Sequence, residues 1–167
     1  MNYKSLIRDV PDFPIKGVLF RDVSPLLQDA EAFASVGHGF AKLIDLNSVD
    51  CFVGIESRGF IFAAGLAAQF NKGFLPLRKA GKLPPPVFKK SYALEYGEAT
   101  LEMAPASKPA RVVVCDDVLA TGGTLRASIE LCEKAGYQVA DILVLINLTF
   151  LNDMKFNNEP IKSLIQY

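Results

Sequence analysis

From Asp29 onward, apolar residues recur at three- and four-residue steps (Phe33, Val36, Phe40, Leu43, Ile44), which puts one apolar stripe along a helix. Asp29 stands where its carboxylate can accept from the free amides of the first turn, so it is the expected N-cap. The pattern then changes. Residues 51–55 are short and continuously apolar, as in a strand buried on both faces. Glu56-Ser57-Arg58-Gly59 separates them from the alanine-rich stretch 60–70, which predicts a buried helix. Runs 74–77 and 111–115 repeat the short apolar pattern, each followed by charge or glycine. After Gly122-Gly123, the residues Leu125, Ile129 and Cys132 share a helix face that Gly136 is placed to stop, and 141–148 supplies a further apolar strand. Strand alternating with helix predicts an α/β domain with a central, mainly parallel sheet flanked by helices. Residues 81–90, dense in proline and lysine and poor in core residues, read as a mobile loop.

Length and composition narrow this to one domain, because 167 residues of which 50% are hydrophobic supply a single core and show no interdomain linker. Lys plus Arg equals Asp plus Glu at 18 each, so whole-chain charge supports neither nucleic-acid nor anionic-membrane binding. Any polyanion site must be a local cluster. The three cysteines are odd in number and lie in apolar or helical patterns, which fits a reducing compartment. Residues 1–11 carry charge without an apolar core, and no run reaches the ~18 apolar residues of a membrane span. The expected location is the cytoplasm.

The densest chemistry lies in 111–124: an apolar strand, the carboxylates Asp116 and Asp117, then Val118-Leu119-Ala120-Thr121-Gly122-Gly123-Thr124 turning into a helix. Ligands of open α/β sheets bind beyond the carboxyl ends of strands, where two carboxylates can accept from sugar hydroxyls. The glycines and threonines let amides and hydroxyls surround a phosphate at the positive end of the helix. Taken alone, Asp-Asp and Gly-Gly also read as a solvated turn that begins a helix. There is no Walker-type lysine and no complete dinucleotide fingerprint, so triphosphate and NAD chemistry are disfavoured.

The complete string resembles the phosphoribosyl-pyrophosphate signature of type I phosphoribosyltransferases, and Leu119-Ala120-Thr121-Gly122-Gly123-Thr124 resembles their adenine-specific branch. Further blocks lie in the family's order: Pro11-Asp12-Phe13-Pro14, Gly17-Val18-Leu19-Phe20-Arg21-Asp22-Val23-Ser24-Pro25, Glu56-Ser57-Arg58-Gly59-Phe60, Arg78-Lys79-Ala80-Gly81-Lys82-Leu83-Pro84 and Tyr92-Ala93-Leu94-Glu95-Tyr96-Gly97. The resemblance implies one domain over 1–167, with a small base-binding hood over about 1–28 and a flexible active-site loop over about 81–92. It implies the purine-salvage reaction of adenine with phosphoribosyl pyrophosphate to give AMP and pyrophosphate.

For individual residues, the resemblance implies that Phe20 stacks on adenine with Val118 on the other face. Backbone groups around Val18 and Arg21 would read the base edge. Ala120, Thr121, Gly122, Gly123 and Thr124 would hold the phosphate. Glu56, Ser57, Arg58, Arg78, Lys79 and Lys82 would hold pyrophosphate; in the family the Glu56-Ser57 peptide can adopt a cis form that presents backbone amides to it. Glu95 is the candidate acid/base, Tyr96 covers the closed site, and Asp116 and Asp117 hold the ribose. Magnesium is implied, held mainly through substrate oxygens and not by a dedicated protein cage. The family also implies a homodimer. By residue type alone Phe20 reads as core, each basic residue as solvated surface, and His38 as structural. The rival readings are a phosphoribosyltransferase for another purine base and a non-catalytic protein that senses phosphoribosyl pyrophosphate.

Overall fold

A computed structural model of the chain describes residues 1–94 and 97–167. The elements in chain order are β1 (Arg8–Pro11), β2 (Leu19–Asp22), α1 (Ser24–Gln28), α2 (Ala30–Ala41), β3 (Cys51–Ile55), α3 (Gly59–Gln69), β4 (Gly73–Lys79), β5 (Phe88–Leu94), β6 (Gly97–Met103), β7 (Arg111–Leu119), α4 (Gly123–Lys134), β8 (Gln138–Asn147), β9 (Lys155–Phe156), β10 (Glu159–Pro160) and β11 (Lys162–Gln166). A seven-stranded sheet runs β11-β8-β7-β3-β4-β6-β5. Its strands are parallel from β11 to β4 and antiparallel at β4-β6-β5. The hood is a separate antiparallel pair in which Val10 faces Phe20 and Asp9 faces Arg21.

The period of two along each strand divides the core into two layers. Val53, Ile55, Val112, Val114, Ile142 and Val144 pack toward α4, which contributes Leu125, Ala127, Leu131 and Cys132. Phe52, Val113, Cys115, Leu143 and Leu145 point the other way, onto Val36 and Phe40 of α2 and Phe62 and Leu66 of α3. Each large apolar side chain so enclosed contributes about 1.5–3 kcal/mol, which makes this double layer the main source of stability. Asp29 caps α2 by accepting from the Ala32 amide at 2.9 Å. The helix stops at Ala41, so Leu43 and Ile44 lie past its end yet still pack on the same layer.

Three expectations change. β7 does not end at residue 115 but continues through Asp116, Asp117 and Val118 to Leu119. Its pairing with β3 stops at Cys115 while its pairing with β8 runs on to Leu119. The strand thus stays laddered on one side and opens a crevice on the other, and polar side chains are tolerated where the apolar neighbour has ended. The 81–92 loop is loop only to residue 87; from Phe88 the chain is strand β5, paired with β6 along its length. Lysines had hidden it: Phe88 and Tyr92 pack on the α4 layer, while Lys89 pairs with Glu102 and Lys90 with Glu130. Finally, the strand expected over 141–148 runs from Gln138 to Asn147, enclosed between β7 and β11. Thr149, Phe150 and Leu151 just beyond it are exposed.

Candidate active site

The carboxyl ends of β3 and β7 meet at the crevice. Past Leu119 the chain turns through 120–122 into α4, whose N-cap is Gly122 at φ +87°. That left-handed backbone favours glycine, and a Cβ there would also stand 3.0 Å from Met154 Sδ. Asp116, Val118, Thr121, Gly122, Gly123 and Thr124 line a cavity of about 80 Å³ at the N-terminus of α4, where first-turn amides lack intrahelical partners. The expected phosphate residues Ala120 to Thr124 are thus contiguous in one cradle. Val118 lines this cradle and packs, half-buried, against the layer that carries Val23 and Phe62.

Asp116 and Asp117 sit against α3, and the approach is close because Gly59 begins that helix. A Cβ on Gly59 would lie 2.6 Å from the Cys115 carbonyl oxygen and 3.1 Å from Asp116 Oδ1. Asp116 Oδ1 accepts from the Asp117 amide at 2.9 Å. Burial, reinforced by the neighbouring Asp117 charge, holds the Asp116 carboxyl well above the usual carboxylate range. Asp117 is raised as well, first by burial, with the Arg58 cation pulling the other way. Arg58 Nε lies 2.8 Å from Asp117 Oδ2 but without hydrogen-bond alignment, so that buried oxygen is charge-paired and has no donor among the described residues.

The other side of Arg58 faces the hood. Its guanidinium carbon stands 4.8 Å from the Phe20 ring centroid, and Phe13 meets Phe20 edge-on at 5.1 Å. Val10, Phe13, Phe20, Val23, Arg58 and Ile61 border a cavity of about 490 Å³. Arg58, grouped by resemblance with the pyrophosphate cations, therefore stands between the acidic pair and the aromatic pocket. The Arg21 side chain does not face that pocket; it stacks on Tyr167 at 3.7 Å and pairs with Asp9, so only its backbone is available to a base. Val18 donates its amide to Ile15 and accepts from the Phe13 amide, both at 3.2 Å, inside the hood turn.

A basic cluster occupies the start of the loop after β4. Glu56 accepts from Lys82 Nζ at 2.6 Å, from the Lys79 amide at 3.0 Å and from Arg78 Nε at 3.3 Å. These donors, the Lys82 ammonium first, bring its carboxyl to about 2 against the cost of burial. The Glu56 side chain is thus an anion that gathers Arg78 and Lys82. The Glu56-Ser57 peptide is cis, and Ser57 is exposed beside Arg58 at the mouth of the crevice. Glu95 and Tyr96 lie outside the described residues. Among the described residues, no three His, Cys, Asp or Glu side chains converge as a metal cage, and no helix is long and apolar enough to cross a membrane.

The family model for the phosphoribosyl transferase domain matches residues 22–156. Adenine phosphoribosyltransferase of Bdellovibrio bacteriovorus is 62% identical over 167 residues, covering 100% of both chains. That of Nitrosopumilus maritimus is 46% identical over 170 residues, again covering 100% of both. The chain belongs to the adenine phosphoribosyltransferase family. Among solved members, the Thermoanaerobacter pseudethanolicus protein superposes with a TM-score of 0.89 at 43% identity, over 99% of this chain and 98% of that one. The Saccharomyces cerevisiae adenine phosphoribosyltransferase, crystallised with an imino-altritol bisphosphate and adenine, gives 0.89 at 34%, over 97% and 96%.

Several polar residues of this adenine phosphoribosyltransferase chain support the site without having been legible as site residues. Asn152 Nδ2 donates to Ala120 O at 2.8 Å and lies 3.0 Å from Leu148 O, tying the cradle to the end of β8. Thr124 Oγ1 donates to the Tyr92 hydroxyl at 3.3 Å, which joins β5 to the cradle. Glu102, buried on β6, accepts from loop amides. Tyr92 was visible within a family block but had no role attached. Asn152 and Glu102 had no local signal, because each acts on a segment distant in sequence.

Proposed function

We propose that this chain binds adenine in the Phe20 pocket and phosphoribosyl pyrophosphate across the cradle and basic cluster, and transfers the phosphoribosyl group to adenine. The observation that carries the reading is Arg58, which abuts both Asp117 and Phe20 and so joins a phosphate-and-sugar crevice to an aromatic pocket. The cradle takes the ribose phosphate on free helix amides and threonine hydroxyls. Asp117 faces the sugar with an oxygen that has no donor among the described residues, suited to accept from a ribose hydroxyl and to stabilise positive charge developing at C1. Arg78, Lys79, Lys82 and Ser57 face the pyrophosphate.

The C1–oxygen bond to pyrophosphate breaks, the bond from adenine N9 to C1 forms, and N9 loses its proton. Glu95 is the proposed acceptor of that proton, and Tyr96 covers the site; both roles rest on the family resemblance. Residues 81–87, carried beside the basic cluster, exclude water from the reacting sugar.

Magnesium, which favours oxygen ligands and keeps waters, would be held mainly through pyrophosphate and ribose oxygens, since no three His, Cys, Asp or Glu side chains among the described residues form a cage. When bound it neutralises pyrophosphate charge. Cytoplasmic location fits the free thiols of Cys51, Cys115 and Cys132. A homodimer fits the exposed Ile61, Phe74, Phe150 and Leu151 and the apolar groove between α2 and α3.

Phe20→Ala tests the pocket. Base stacking on an aromatic ring is worth about 1–3 kcal/mol, so KM for adenine rises roughly 5- to 150-fold while KM for phosphoribosyl pyrophosphate stays unchanged. Steady-state rates with each substrate varied in turn decide it; an unchanged adenine KM sinks the stacking role.

A further inference from the structure

Glu102 is a carboxylate that the proposed transfer does not use, and it is only 1% exposed. It sits on β6 opposite Arg78 of β4 and Lys89 of β5. One of its oxygens, Oε1, accepts from the amides of both Lys82 and Leu83 at 2.6 Å. Lys89 Nζ lies 3.8 Å from Oε2. The Gly81 amide, followed by those of Leu83 and Lys82, outweighs burial and keeps the carboxyl below its usual range, hence ionised.

The convergence has a local cause. The chain leaves β4 after Lys79, and residues 80–87 form no strand. Gly81 adopts φ +85°, which curls the backbone so that successive amides point inward instead of into a ladder. An unpaired buried amide is costly, so the carboxylate that receives these amides fixes the conformation of 81–83. That conformation in turn assembles the cationic cluster. Lys82 Nζ reaches Glu56 at 2.6 Å, and Arg78 Nη1 donates to the Lys82 carbonyl at 3.3 Å.

We infer that Glu102 is the positioning residue of the pyrophosphate subsite: by gathering the Lys82 and Leu83 amides it presents Lys82 and Arg78 as a preformed pair of cations. Resting on the proposed pyrophosphate assignment, this role makes Glu102 act through Lys82 and Arg78 without touching substrate. A carboxylate that merely filled the hairpin would affect both substrates alike. A positioning role affects phosphoribosyl pyrophosphate alone.

The test compares Glu102→Leu, Glu102→Gln and Lys82→Ala with the parent in steady-state kinetics, varying phosphoribosyl pyrophosphate and adenine separately. Lys82→Ala raises KM for phosphoribosyl pyrophosphate, which upholds the subsite. Glu102→Leu, which leaves the amides without an acceptor, raises that KM ~tenfold or more with adenine KM within ~twofold. Glu102→Gln, which keeps a carbonyl oxygen for the Lys82 and Leu83 amides, recovers most of the loss. If Lys82→Ala acts as expected but Glu102→Leu raises neither KM, or both alike, the positioning role is overturned. If Lys82→Ala has no effect, the pyrophosphate assignment itself falls and the positioning role with it. Should Glu102→Leu not fold, trypsin cleavage after Lys82 in Glu102→Ala, which also lacks the acceptor, decides: cleavage faster than in the parent upholds the anchor, and an unchanged rate overturns it.

Discussion

Asp117→Asn is expected to lower kcat by about 10²- to 10³-fold while the protein stays folded. Asp117 is 4% exposed and its Oδ2 has no hydrogen-bond donor among the described residues, which suits it to accept from the substrate. Charge in such a water-poor crevice acts more strongly than in solvent. Replacing the carboxylate with an amide removes the negative charge facing C1 and leaves the Arg58 cation without its partner 2.8 Å away. Asp116→Asn is the informative comparison. Burial and the Asp117 charge hold the Asp116 carboxyl toward its neutral form, which an amide imitates. Its loss is therefore expected to be about tenfold smaller. Single-turnover rates with saturating substrates, alongside circular dichroism of both variants, check the order; an equal or larger loss from Asp116→Asn contradicts it.

Gly59→Ala is the second large effect, and it acts on stability and activity together. The added methyl would stand 2.6 Å from the Cys115 carbonyl oxygen, which is backbone in the middle of the sheet and cannot step aside. Either α3 is pushed off β7 or the strand bends, at about 3 kcal/mol of overpacking. For a chain of this length that lowers Tm by roughly 6–12 °C. Because Arg58 immediately precedes the displaced helix, its pairing with Asp117 and its contact with Phe20 loosen too, and kcat falls even below the new Tm. Calorimetry and kinetics on one preparation test both halves. A Gly59→Ala protein with parental Tm and rate would mean that the contact between α3 and β7 has no such constraint.

Much of this arrangement was legible in the chain. The continuous apolar runs at 51–55 and 111–115 marked strands buried on both faces, and the Asp29 cap and the Gly136 stop marked helix ends, because each signal is local. Where tertiary context decides, pattern failed. β7 runs on through two carboxylates because β8 still pairs with it after β3 has stopped. β5 was hidden by lysines whose charges meet Glu102 and Glu130 on other elements. The cradle residues line one cavity because they are consecutive. Arg58 and Arg21 were placed by motif alone, and motif carries no side-chain direction: one turns to Phe20 and Asp117, the other to Tyr167. Glu56 was grouped with the basic residues around it, yet its own charge makes it their counter-ion.

The central claim is transfer of phosphoribose to adenine. It is tested most directly by pyrophosphate release with magnesium and phosphoribosyl pyrophosphate, offering adenine, hypoxanthine, guanine and xanthine in separate reactions. Rapid release with adenine and none above background with the three keto purines is the predicted result. Release with a keto purine but not adenine, or binding of phosphoribosyl pyrophosphate with no release for any base, contradicts it.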